Sequence, residues 1–122
     1  MVMKVEPGRL RVHQLAADIA ADCVRLARTF HGPGAFARGD QLVRAALSVS
    51  SNIAEACGRG TVQEFRQFLV YARGSAHETL SQLKIARKLD ASRADTISRL
   101  ESRAVVTLKM IERLLLHPPP QK

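Results

Sequence analysis

The sequence predicts an all-α fold, an antiparallel up-down-up-down four-helix bundle, on three observations. Apolar residues recur at three- and four-residue steps in four separate stretches. Glycine, proline and capping residues divide those stretches. No stretch shows the two-residue alternation of a half-buried strand. The composition agrees. Of 122 residues, 46% are hydrophobic but only 4% aromatic, with no Trp, so Leu, Ile, Val and Ala must build the core. Ala and Leu also favour helix. A chain of this length closes one core without disulfide or metal support.

The elements follow in order. Residues 1–10 read as a loose arm containing the breaker Pro7-Gly8. The spacing then predicts a bundle over residues 11–117 and a Pro-rich tail over 118–122. The first helix, residues 11–29, carries Val12, Leu15, Ala16, Ile19, Cys23, Leu26 and Ala27 on one stripe, and Gly32-Pro33-Gly34 stops it. A connection through Phe36 leads to Asp40 as N-cap of a second helix over 41–57. This helix has two apolar edges, one of Leu42, Ala46, Val49 and Ile53, the other of Val43, Leu47, Ala54 and Cys57. Gly58-Arg59-Gly60 stops it, with a glycine suited to a left-handed cap. Thr61 and Glu64 form a capping box for a long third helix, 62–89, in which Gly74 is expected to mark the close approach of a neighbour. Ser92 is the expected cap of the fourth helix. There Ile97, Leu100, Ala104, Leu108, Ile111 and Leu115 follow almost as a heptad, and the prolines after His117 end it.

The formal charge of +8 predicts attraction to polyanions. A basic protein with no anionic target is the alternative. Cys23 and Cys57 fall on apolar stripes and are expected to be buried thiols of a reducing, cytoplasmic environment. The first residues lack the apolar segment of a secretory leader, and no run is long enough to span a bilayer, so no membrane role is expected.

Catalytic chemistry finds no support. His13, His31, His77 and His117 are scattered, without zinc-ligand spacing, and no Glu-x-x-His pair serves a di-iron bundle. There is no phosphate-binding glycine loop and no nucleophile elbow. The chain is therefore expected to be non-enzymatic, without metal or cofactor.

Two surface features remain. The second helix carries a polar stripe of Ser48, Asn52, Glu55 and Arg59, and the third carries Tyr71, Ser75, Glu78 and Gln82. Folded back about Gly60, Arg44 would approach Glu78, and Asn52 would approach Phe68 or Tyr71. The stripes then form a register-fixing network within the bundle or at a subunit contact, or else a solvated face. Residues 84–122 hold nine Lys and Arg against four acids. Lys84, Arg87, Lys88, Arg93, Arg99 and Arg103 form a candidate phosphate-facing patch; the same cations near the end of the third helix would also complement its dipole. Most of the five aromatics lie on core stripes, so base stacking is not expected.

Residues 41–59, with the core Ser48-Val49-x-x-Asn52-Ile53-Ala54-Glu55, resemble the bacterial four-helix bundle proteins also called 23S ribosomal RNA intervening-sequence proteins. Phe65-x-x-Phe68-Leu69-x-x-Ala72-x-Gly74-Ser75-x-x-Glu78 is similar to that family's third helix. Ala76 and Thr79 depart from it, standing where larger apolar residues are usual. The resemblance implies a homopentamer without enzymatic activity. It also implies kinship with accessory proteins of diversity-generating retroelements, whose basic barrels engage nucleic acid and a reverse transcriptase. The function expected is thus a basic oligomeric scaffold binding RNA or DNA phosphates without sequence specificity. The alternative is a protein-interaction module with no nucleic-acid role.

Overall fold

The computed structural model describes residues 10–118, in which four helices form a bundle. They are α1 (Arg11–Ala27), α2 (Ala35–Cys57), α3 (Val62–Leu89) and α4 (Ala94–Leu116), with a 3-10 turn at Ala91–Arg93 before α4. The expected arm, apart from Leu10, and the expected tail beyond Pro118 lie outside the described residues.

Local chemistry sets the boundaries. The Thr61 hydroxyl accepts the Glu64 amide at 3.1 Å, so α3 starts where its capping sequence predicts. The Glu64 carboxylate meets the Thr61 hydroxyl rather than a backbone amide, so only half of the box forms. Helix α2 begins six residues before the expected start. Gly34 adopts φ +74°, a left-handed conformation open to glycine, and turns the chain at once into helix. Asp40 is therefore inside α2, and Phe36 belongs to its first turn, 91% exposed. Gly58 ends α2 at φ −85°, not in the left-handed region expected of its cap. Before α4, the Asp90 carboxylate accepts the Ser92 amide and hydroxyl and caps the 3-10 turn, whereas α4 itself starts after Arg93 without a side-chain cap, so Ser92 does not cap it. Gly74 meets no neighbour within 4 Å of where a Cβ would stand, so it marks no close approach within the chain. That role falls to Gly39, whose Cβ position is 3.4 Å from the Ala27 methyl.

Cross-helix contacts give the arrangement. Gln41 early in α2 meets Gln82 late in α3, and Ser48 meets Ser75, so these helices run in opposite directions. Arg87 meets Glu101 between α3 and α4, and Arg103 of α4 meets Asp22 of α1. Each helix packs on its two sequence neighbours, with α1 and α4 closing the ring. The α2–α3 groove and the α1–α4 groove therefore lie on opposite sides of the molecule.

The core divides into two apolar halves. One holds Val12, Ile53, Phe65, Leu69 and Ile111; the other holds Cys23, Leu26, Leu42, Leu83 and Ile97. Between them every helix contributes a pair three residues apart: Ala16 and Ile19, Ala46 and Val49, Ala76 and Thr79, Ala104 and Thr107. The Thr79 hydroxyl donates to the Ser75 carbonyl at 2.8 Å and Thr107 to Arg103 at 3.0 Å, so each threonine turns its methyl to the interior. This waist encloses only about 10 Å³, at the lower limit for one water. The second apolar edge expected on α2 is buried only at Cys57. Leu47 is exposed, Val43 and Ala54 are half-buried, and Ala45 and Ala56 fill the interior instead.

Enlarging a waist alanine has no room to succeed. Ala46→Leu and Ala104→Leu are each expected to cost about 1–3 kcal/mol in urea unfolding. Thr107→Val, which keeps the shape and removes a hydroxyl bonded only to its own helix, should stay within about 1 kcal/mol. A neutral Ala104→Leu would show that the waist is loosely packed.

Candidate nucleic-acid interface

The six predicted cations do not share one face. Lys84 and Lys88 are exposed on α3 and make no ion pair among the described residues. Arg87 turns to Glu101, its Nε 2.6 Å from a carboxylate that is only 14% exposed. Arg93 pairs with Asp90 at 3.7 Å, and Arg103 with Asp22 at 2.6 Å. Arg99 is exposed and makes no ion pair among the described residues. Arg93, Arg99 and Arg103 thus stand on the α1–α4 side, apart from the lysines of α3. Arg87 is held by the helix it packs against, and with Lys88 it also complements the last turn of α3.

The α1–α4 side is a groove of about 380 Å³. Asp22 and Arg25 stand on its α1 wall, Arg99 and Arg103 on its α4 wall, with Arg93 and Thr96 at the start of α4 and Leu26 and Leu100 beneath. Asp22 takes Arg103 on one oxygen and Arg25 on the other, at 2.6 and 2.8 Å. The Arg103 hydrogen bond, opposed by partial desolvation and aided by Arg25, holds the Asp22 carboxyl below its ordinary 3.8. Four guanidinium groups thus face one carboxylate in this groove. Arg25 was legible only as a charge off the apolar stripe; the other partner of Asp22, Arg103, lies 81 residues from that carboxylate, beyond any local pattern.

The polar stripes do meet across the opposite groove. Ser75 donates to the Ser48 hydroxyl at 2.9 Å, and Asn52 donates to the Ser48 hydroxyl at 3.0 Å and its carbonyl at 2.9 Å. Gln82 donates to Gln41, extending the seam. Arg59 pairs with Glu55 and lays its guanidinium over the Phe68 ring at 4.3 Å, while Phe68 meets Tyr71 edge-on. Two expected contacts fail. Arg44 bonds to Asp40 one turn back, at 3.0 Å, and Glu78 is exposed without a partner among the described residues. Asn52 spends its amide on Ser48 rather than on Phe68 or Tyr71. The α3 stripe that starts at Tyr71, 50% exposed, also continues past Gln82 to Ile85 and Leu89, which stand 41% and 61% exposed at helical spacing.

Burial pushes the Cys23 thiol up to about 12 and the Cys57 thiol up to about 11. Of the aromatics, Phe65 is fully buried and Phe30 and Phe68 are half-buried; Phe36 and Tyr71 are open. Among the described residues no three His, Cys, Asp or Glu side chains lie close enough to hold a metal ion. No described helix is long and apolar enough to cross a membrane.

Fold and surface define a basic four-helix bundle with an ionic groove on one side and a neutral hydrogen-bonded seam on the other. The chain belongs to the family of 23S rRNA-intervening sequence proteins, which matches residues 8–113. It is similar in fold to the crystal structure of a protein with unknown function from the S23 ribosomal protein family of Bacteroides thetaiotaomicron. The TM-score is 0.78 at 19% identity, covering 85% of this chain and 97% of that one. No curated protein matches the chain.

Two measurements check these electrostatics. Asp22 contributes stability that is complete above the unfolded carboxyl value of 3.8 and is lost as pH falls through its lowered folded value. The unfolding midpoint should therefore drop below about pH 4, and Asp22→Asn should flatten part of that drop; an unchanged profile in the variant would remove the groove pair as a cause. Both cysteines should resist a thiol-specific colour reagent at pH 8 in native protein and react at once in denaturant; immediate reaction in the native state would contradict their burial.

Proposed function

We propose that this chain is a non-enzymatic, self-assembling basic scaffold that holds RNA or DNA by its phosphates, without reading sequence. The observation that carries it is the cation surplus. The net charge is +8, and exposed cations, Arg99 of the α1–α4 groove among them, keep no acidic partner within the described residues. Unpaired surface cations attract the phosphate backbone and release its counterions, a force indifferent to base identity.

Self-assembly, as a homopentamer in line with the family resemblance, is supported by the outer face of α2 and α3. Isolated apolar side chains on a surface are ordinary, but Tyr71, Ile85 and Leu89 form one line beside a seam whose hydroxyls and amides already satisfy one another. Such a surface loses little on leaving water. A protein-interaction module without a nucleic-acid role would use the same face.

Binding of a labelled single strand is expected to weaken by orders of magnitude between about 50 and 200 mM salt, where six to ten phosphates are contacted. No binding even at low salt would end the nucleic-acid reading. Native mass spectrometry is expected to show a multi-subunit particle that Tyr71→Ala with Leu89→Lys breaks to monomer; a monomeric wild type would end the scaffold reading.

A further inference from the structure

We infer that the α1–α4 groove, and not the lysines of α3, seats the phosphodiester backbone, with Arg25 and Arg99 as contact residues and Arg103 as a positioning residue. This inference rests on the nucleic-acid reading above and assigns its site.

Three features carry it. The first is shape. Lys84 and Lys88 project from the exposed surface of a single helix, where water screens each charge separately. The groove sets cations on two walls over the apolar floor of Leu26 and Leu100, and a concave site with low-dielectric walls focuses their field. The second is chemistry. All four cations of the groove are arginines, whose planar fork donates two parallel hydrogen bonds to one phosphate, whereas lysine offers a hydrated point charge. Arg99 and Arg103, one turn apart on α4, stand about 6 Å apart along its axis, suited to successive phosphates. Thr96 adds a hydroxyl in the first turn of α4, a helix start that no side chain caps.

The third is the internal counter-ion. Asp22 divides one carboxylate between Arg25 and Arg103, fixing both guanidinium groups while neutralising only one charge. Arg103 spends its bond across the groove and is held in place by it. Arg25 remains 70% exposed with most of its donors free, and Arg99 makes no hydrogen bond or ion pair among the described residues. Arg25 and Arg103 are thus placed before a strand arrives, so ordering these two costs little on binding. Its position suits assembly as well: it lies on the side opposite the α2–α3 seam and stays open when that seam is covered.

The test compares two double variants of equal net charge by fluorescence anisotropy, using short single strands of RNA and of DNA. Arg25→Ala with Arg99→Ala is expected to lose at least about tenfold in affinity at ~50 mM salt and about two units of salt slope, on both strands alike. Lys84→Ala with Lys88→Ala should keep its slope within about half a unit of wild type. Because Arg99 is exposed and makes no hydrogen bond or ion pair among the described residues, Arg99→Glu alone should keep the native melting curve and bind more weakly still than Arg99→Ala. Equal losses in the two double variants, or wild-type binding by Arg99→Glu, would overturn the groove while leaving the nucleic-acid reading intact. A wild type that binds neither strand at low salt would overturn both.

Discussion

The bundle depends on its waist. Four helices can close around one axis only as tightly as the bulkiest side chains at a shared level allow, and here each helix offers an alanine at that level. Close approach there brings the Ser48 hydroxyl within 2.9 Å of Ser75, a contact that two such short side chains could not make across a wider bundle. Leu, Ile and Phe fill the two halves beyond it, where the helices have room to diverge. The two threonines belong to the same constraint. Each sends its hydroxyl to its own backbone, so a polar residue serves as a small apolar one.

With the helices drawn in, the two grooves acquire different characters. Between α2 and α3 the residues that meet across the groove are Ser48, Ser75, Asn52, Gln41 and Gln82, which bond one another without charge. Between α1 and α4 they are arginines around one aspartate. A neutral, satisfied surface can be buried against another copy at small desolvation cost, whereas a row of guanidinium groups cannot. One side is thereby suited to protein and the other to a polyanion, although both are grooves between neighbouring helices of the same bundle.

The helical periodicity made most of the architecture legible, because burial of a stripe is what the periodicity encodes. Helix α3 was readable to the residue, since Thr61 offers an N-cap oxygen at its start. Helix α2 was not. Its true start depends on a glycine with positive φ, which Gly32-Pro33-Gly34 permits but does not demand. That single misplacement carries over to the surface. Asp40, taken as a cap outside the helix, lies inside it and becomes the partner of Arg44 four residues on, leaving Glu78 without the contact expected of it. The polar seam was legible because it too is periodic. The cation patch was not, because ion pairs such as Arg103 with Asp22 join helices distant in sequence. Larger apolar residues in place of Ala76 and Thr79 would crowd the waist described here.

The closing of the ring also settles where the bundle's two ends meet. Leu10, Arg11 and Val12 stand against Met110, Leu114 and His117, so the start of the first helix and the finish of the last share one end of the molecule. A short tether joining them would therefore follow a path the fold already provides. New termini could then be opened in the exposed turn at residues 32–34, where few contacts are lost. Such a rewired chain retains every groove and the waist while changing which helices are synthesised first, because the order of helices around the ring is indifferent to where the chain is cut.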